Sequence, residues 1–264
     1  MFVGFNAKIS KEGFISPYFK TLETERIETQ KREIQSQLKD YVLNDGFLDA
    51  TLIENDWFPN ISANVFISHS HRDYDLAVGF AGWLYTVFGI KSFIDSCVWG
   101  YADDLLKIID EKYCVNELNP DGSVSSFDYN KRNRSTSHVH MILNAALHKM
   151  IDKTECLMFL NTSNSLLTSD LDDNSATSSP WIYSELIFSR MCQKKKLSYY
   201  RENLTHSGLL EYAELNVKYD VSLDHLIELD NQDLINLWKR KTNKIPELAL
   251  DDLYIIKGVL PTGE

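Results

Sequence analysis

The amino-acid sequence predicts an α/β fold with a parallel sheet that is covered by helices on both faces. Short apolar runs of strand length alternate with longer segments of helical periodicity. The strand candidates have apolar centres rather than alternating apolar and polar residues, which is typical of strands buried on both faces. They cover residues 64–68, 91–95 and 156–160, with weaker candidates at 196–200 and 217–221.

Helical segments separate these strands. The first begins after Ser70 and Asp73, which we expect to act as a capping pair, and it ends at Gly89. Another begins at Ser179-Pro180, an N-cap residue followed by proline at the first helical position. Further helices are predicted at about residues 103–113, 137–153 and 230–241.

The main domain is predicted to cover residues 62–241, with a long insertion at about 101–137. Within that insertion, residues 116–136 are polar and are expected to form a loop. Residues 242–264 are expected to form a C-terminal tail. These boundaries leave residues 1–61 as an N-terminal extension.

Within this extension, residues 1–17 are expected to be irregular. Between residues 19 and 45, apolar residues recur at approximate helical spacing in a charged, Gln-rich segment, and Gly46 follows as a helix-ending residue. We expect an amphipathic helix here. It either packs on the main domain or pairs with another copy of the chain.

Composition restricts the class of partner. The 264 residues include 27 basic and 38 acidic side chains, so the net charge of −11 argues against nucleic-acid binding. The dense basic run Lys194–Lys196 closes a predicted helix, where cations are favourable. No apolar run has the length of a membrane span or of a signal peptide, and the four cysteines form no C-x-x-C pair. We expect a cytoplasmic protein that binds neither nucleic acid nor membrane.

Polar residues follow each predicted strand, at the sheet edge where parallel sheets bind their ligands. The helix that begins at Pro180 carries Trp181 and Glu185 on one face, four residues apart. We expect the helix dipole to keep the Glu185 carboxylate ionised beside the aromatic ring. The candidate ligand contacts at this edge are Ser68, His69, Ser70, Asp95 and Trp99.

Four segments, in this order, resemble the Toll/interleukin-1 receptor (TIR) domain family. Val65–His69 resembles the first box of the family. Asp95 leads into Ser96–Tyr101, which corresponds to the mobile loop after the second strand. Ile142–Leu160 resembles the second helix and third strand. Trp181-x-x-x-Glu185 is similar to the Trp-x-x-x-Glu pattern of the enzymatically active members.

This resemblance covers roughly residues 62–240 and implies a flavodoxin-like five-stranded parallel sheet. It also implies cleavage of the nicotinamide–ribose bond of NAD+, with Glu185 as the essential residue and Trp181 beside it. NAD+ is then a substrate, and no cofactor is expected. The ADP-ribose product is released, cyclised or transferred to an acceptor.

Active TIR proteins commonly work in immune pathways, bacterial antiphage defence included. The family also builds its sites between neighbouring domains, so the resemblance implies a homo-oligomer that can engage a signalling partner protein. The alternative from another class of function is a non-enzymatic TIR adaptor, which would use the same domain for assembly alone.

A metal-dependent alternative comes from His69-x-His71-x-Asp73, which is similar to the metallohydrolase pattern His-x-His-x-Asp-His. Tyr74 stands where that pattern requires a further histidine, so a metallohydrolase is the weaker interpretation and no metal is expected. Arg132 and Arg134 either contact a diphosphate or form a solvated charge run, and the second interpretation is favoured.

Overall fold

A computed structural model of the chain describes residues 1–10, 16–29, 62–167, 176–202, 219–220, 223–240 and 245–260. The chain forms two compact units. The first comprises Met1–Arg26, Ile61–Asp95 and His148–Glu264, and the second comprises Ile27–Asn60 and Ser96–Leu147. Within the described residues, no helix is both long enough and apolar enough to cross a membrane.

The first unit is built on a five-stranded parallel sheet, so the predicted α/β class and the parallel sheet are confirmed. The strands of the chain are β1 (Val3–Lys8), β2 (Val65–Ser68), β3 (Ser92–Ile94), β4 (Val115–Leu118), β5 (Val124–Phe127), β6 (Cys156–Leu160), β7 (Ala176–Thr177), β8 (Tyr219–Asp220) and β9 (Ile227–Asp230). The order in the five-stranded sheet is β3-β2-β6-β1-β9. Every residue of β2, β3 and β6 is buried, as their apolar centres predict, and the buried residues include Ser68 and Ser92.

The strand β1 corrects the prediction for the N-terminal segment. Residues 1–17 were expected to be irregular, but Val3–Lys8 pairs in parallel with both β6 and β9. Gly4 and Asn6 are poor strand formers, which hides the strand from local propensity. Pairing on both sides supplies the stability that the local sequence lacks, and the sheet therefore extends outside the predicted 62–241 domain.

The strand order places a topological switch point between β2 and β6. From β2 the chain continues to β3 on one side, and from β6 it continues to β9 on the other. Flavodoxin-like sheets have the strand order 2-1-3-4-5. In this sheet β2, β3, β6 and β9 take the places of strands 1, 2, 3 and 5 of that order, and the N-terminal strand β1 takes the place of strand 4. Ligands of such sheets bind at the carboxyl ends of the two strands that flank the switch point.

The helices are α1 (17–29), α2 (Tyr74–Phe88), α3 (Ser96–Tyr113), α4 (Tyr129–Lys153), α5 (Pro180–Met191), α6 (Leu197–Glu202), α7 (Asn231–Arg240) and α8 (Pro246–Ile256). The starts of α2 and α5 and the range of α7 agree with their predicted positions. A Cβ atom on Gly82 of α2 would lie 2.2 Å from the carbonyl oxygen of Phe19, so the first turns of α1 contact α2 closely. The rest of the predicted amphipathic helix, to residue 45, lies outside the described residues.

Two loop predictions for the second unit are wrong. Ser96–Tyr101, expected to match the mobile loop of the TIR family, is the beginning of α3. Residues 116–136, expected to be a polar loop, form the antiparallel pair β4–β5 and the first turns of α4. Gly122 has a φ of 82° in the turn between those strands, a conformation that glycine adopts without strain. The segment is polar because the hairpin buries little of its surface, and its composition therefore resembles that of a loop.

The C-terminal predictions also need correction. Residues 196–200 were expected to form a strand and instead contribute to α6. The weak strand candidate at 217–221 contains β8, which pairs with β7 outside the main sheet. The expected tail at 242–264 contains α8, whose Tyr254 is fully buried and stacks on Phe5 of β1.

Candidate functional site

Four buried polar residues meet near the carboxyl ends of β2 and β3, at the predicted edge of the sheet. Ser68 and His69 lie at the end of β2, Asp95 directly follows β3, and Glu185 comes from α5. All four belong to the first unit. Three of them come from sequence positions predicted for ligand contacts, and the fourth is the predicted catalytic residue.

The start of α5 determines where Glu185 lies. Pro180 occupies the first helical position, and the Ser179 hydroxyl accepts a hydrogen bond from the backbone N–H of Ile182. Glu185 is consequently in the second turn. Trp181 is half-buried one turn earlier, on the same face of the helix.

Two close polar pairs join these four residues, one by a hydrogen bond and one by an ion-pair contact. The Ser68 hydroxyl donates to Glu185 Oε2 over 2.6 Å, although the two residues are 117 positions apart. His69 Nδ1 lies 2.7 Å from Asp95 Oδ1. Glu185 Oε1 is buried and accepts no hydrogen bond from the described residues.

The electrostatics of Glu185 differ from the expectation of an ionised acid. Burial raises the pKa of Glu185 well above its usual value, and the neighbouring Asp95 carboxylate raises this pKa further. The hydrogen bond from Ser68 acts in the opposite direction but does not reverse the shift. The helix dipole loses its effect beyond the first turn, so burial dominates at the second.

Ser70 and Asp73 do not form the predicted capping pair. The Ser70 hydroxyl accepts from the N–H of Arg72 and caps the 3₁₀ turn His71–Asp73. Asp73 makes no side-chain cap to α2. Its buried carboxylate instead accepts hydrogen bonds from the Thr162 hydroxyl and the Asn164 amide.

The sequence did not reveal which residue the loop after β6 binds. Its polar composition predicted that residues 161–164 would lie at the sheet edge. The partner of Thr162 and Asn164 is Asp73, about ninety positions away. Only the spatial adjacency of β2 and β6 brings these residues together.

The predicted role of Trp99 remains a prediction. Its backbone belongs to α3 in the second unit, and its side chain lies outside the described residues. Arg132, offered for a diphosphate, forms an ion pair of 2.8 Å with the buried Asp110 of the same unit. Arg134 is exposed on α4.

The metallohydrolase pattern is not assembled as a ligand set. His69 is paired with Asp95, His71 is exposed, and Asp73 is bound by Thr162 and Asn164. Within the described ranges, no group of three or more His, Cys, Asp and Glu side chains is arranged to hold a metal ion.

Comparisons with protein-family models, with curated proteins and with solved structures found no match to this chain. The arguments about function therefore start from the sheet edge and from the four buried side chains beside it.

Proposed function

We propose that this protein is a TIR-like glycohydrolase with a flavodoxin-like domain, and that it cleaves the bond between nicotinamide and ribose in NAD+. The observation that carries the proposal is the burial of Glu185 beside a second carboxyl group at the ligand-binding edge of the sheet. Such an arrangement costs folding free energy, and costly carboxyl groups are concentrated at functional sites.

The chemistry suits a negatively charged site. Nicotinamide leaves as a neutral molecule when the bond between ribose C1′ and the pyridinium nitrogen breaks, because its electron pair returns to the ring nitrogen. Positive charge then develops at ribose C1′, and a nearby carboxylate stabilises it. A water oxygen completes hydrolysis by bonding to C1′ and releasing its proton, whereas another nucleophile would give a cyclic or transferred ADP-ribose.

Access to the site links the proposal to assembly. The exposed fraction of Glu185 is only 1%, so a substrate reaches its carboxyl group only after a covering segment moves. We therefore expect the active form to be a homo-oligomer or a complex with a signalling partner. Half-buried Trp181, one turn before Glu185, offers the aromatic surface for the nicotinamide ring. A cytoplasmic role in antiphage defence fits this activity.

The test is nicotinamide release from NAD+ by the purified chain across a series of protein concentrations. Glu185→Gln is expected to lower the rate about 10²–10³-fold, because it removes one charge-stabilising group while preserving side-chain shape. The matched control is Glu23→Gln, since Glu23 is an equally buried glutamate that is paired with Arg26 in α1. Product masses distinguish free, cyclic and transferred ADP-ribose.

The control results separate the alternatives. A folded chain that releases no nicotinamide at any concentration, with or without its partner, would support the non-enzymatic adaptor. Equal losses in the two variants would mean that Glu185 acts only through folding. Loss of activity on treatment with a chelator would support the metallohydrolase interpretation instead.

A further inference from the structure

The four buried residues form a continuous chain of polar contacts. Ser68 donates to one oxygen of Glu185, and His69 lies against one oxygen of Asp95. The two carboxyl groups contact each other between these outer partners. Both carboxyl groups are almost fully buried, so water does not separate their charges.

The second carboxylate oxygen of Glu185, Oε1, determines how Glu185 and Asp95 can hydrogen-bond to each other. Oε2 already accepts from Ser68, while Oε1 has no donor among the described residues. A proton on Oε1 would let Glu185 donate to the Asp95 carboxylate. The same proton would remove the repulsion between two buried negative charges.

We infer that Glu185 and Asp95 form a proton-sharing carboxyl pair, in which His69 positions Asp95 as the acceptor and Ser68 positions Glu185. The pair then carries one negative charge rather than two. Buried carboxyl groups at contact distance cannot both ionise without a large electrostatic cost. Asp95 and His69 are positioning residues here, because they act on the reaction through Glu185.

Groups from neighbouring elements face this pair. His69 faces Asp95 from the end of β2, and Ser68 faces Glu185 from the same strand. Asp73, at the start of α2, is engaged by Thr162 and Asn164 of the loop after β6. Within the part of the chain that the structure describes, no lysine or arginine is ion-paired with Glu185.

The sign of the pH dependence follows from burial and from Asp95. Both raise the pKa of Glu185 in the folded chain above its usual value of 4.5, so the folded protein binds this proton more tightly. The stability that Glu185 contributes is therefore complete below about pH 4.5 and is lost as the pH rises toward the folded-state value.

The first test measures stability and needs no catalysis. Urea unfolding midpoints are compared between pH 4 and pH 9 for the natural chain, Glu185→Gln, Asp95→Asn and the double variant. The midpoint of the natural chain should fall with pH relative to that of Glu185→Gln. In the Asp95→Asn background, this fall should end at a lower pH and be smaller, because the neighbouring negative charge no longer raises the folded-state pKa of Glu185. Identical pH dependence in both backgrounds would overturn the inference.

A second measurement covers the case in which a variant folds poorly. At neutral pH, infrared spectra of the natural chain should contain the carbonyl band of a protonated carboxyl group, and Glu185→Gln should lack it. The same band in the spectrum of Glu185→Gln would contradict the inference, whereas Glu23→Gln should retain it.

The catalytic role of the pair rests on the proposed function. If nicotinamide is released, the acid limb of the rate profile should move to lower pH in Asp95→Asn, because Glu185 then ionises more readily. If no NAD+ is cleaved, the stability and infrared measurements still decide whether the proton is shared. An acid limb that stays in place, with the expected stability result, would remove only the catalytic role.

Discussion

Two buried glutamates of the first unit illustrate two uses of the same side chain. Glu155, directly before β6, is bound by the guanidinium of Arg201 at 2.7 and 2.9 Å and by the Tyr254 hydroxyl at 2.7 Å. Glu185, near the carboxyl edge of the same sheet, has a serine hydroxyl and a second carboxyl group as its polar neighbours among the described residues. Burial raises the pKa of both side chains.

The difference lies in what compensates the burial. Around Glu155, a cation and a hydroxyl donor lower the pKa and offset part of the desolvation. Around Glu185, the neighbouring Asp95 carboxylate raises the pKa instead. A compensated buried charge is typical of structural ion pairs, whereas an uncompensated one indicates a site maintained for chemistry.

The largest expected effect comes from removing the cation at Glu155. Arg201→Met should lower the free energy of unfolding by about 3 kcal/mol, because it leaves a buried carboxylate without its partner. Urea unfolding at neutral pH measures this loss. The control is Lys8→Met, which breaks the exposed pair with Glu228 and should cost less than about 1 kcal/mol. Equal losses would break the distinction between the two environments.

The next largest expected effect is a difference between the two glutamates when each is replaced by glutamine: one replacement should lower the free energy of unfolding and the other should not. Glu155→Gln should lower the free energy of unfolding by about 2 kcal/mol, because it weakens charged hydrogen bonds with Arg201. Glu185→Gln at pH 8 should leave the chain at least as stable as the natural protein, since glutamine needs neither a buried charge nor the uptake of a proton on folding. Parallel urea titrations compare the two variants. A larger loss for Glu185→Gln would assign that residue to stability.

The smallest expected effect concerns Asp73, whose buried carboxylate is bound by neutral donors. Thr162→Val should lower the free energy of unfolding by about 1 kcal/mol, because it removes the hydroxyl that donates to Asp73 while valine keeps the shape of the side chain. Ser163→Ala, at the exposed neighbouring position, is the matched control and should change little. Urea unfolding of both variants tests whether neutral donors compensate a buried carboxylate less than an arginine does.

Local sequence patterns predicted much of the sheet. The runs at β2, β3 and β6 have apolar centres without alternation, and such runs are typical of strands that are covered on both faces. The start of α5 was predictable because its serine cap and proline act within one turn. In contrast, β1 contains glycine and asparagine, so its assignment required knowledge of its two neighbouring strands.

The sequence by itself determined which residues end the strands, and that Glu185 lies on a helix near the same edge. It could not determine the protonation of Glu185, because pKa depends on burial and on charges brought close by folding. Ser68, Asp95 and Glu185 are separated by tens of residues and are joined only through the sheet and α5. Tertiary structure therefore decided that the predicted ionised acid is one member of a buried carboxyl pair.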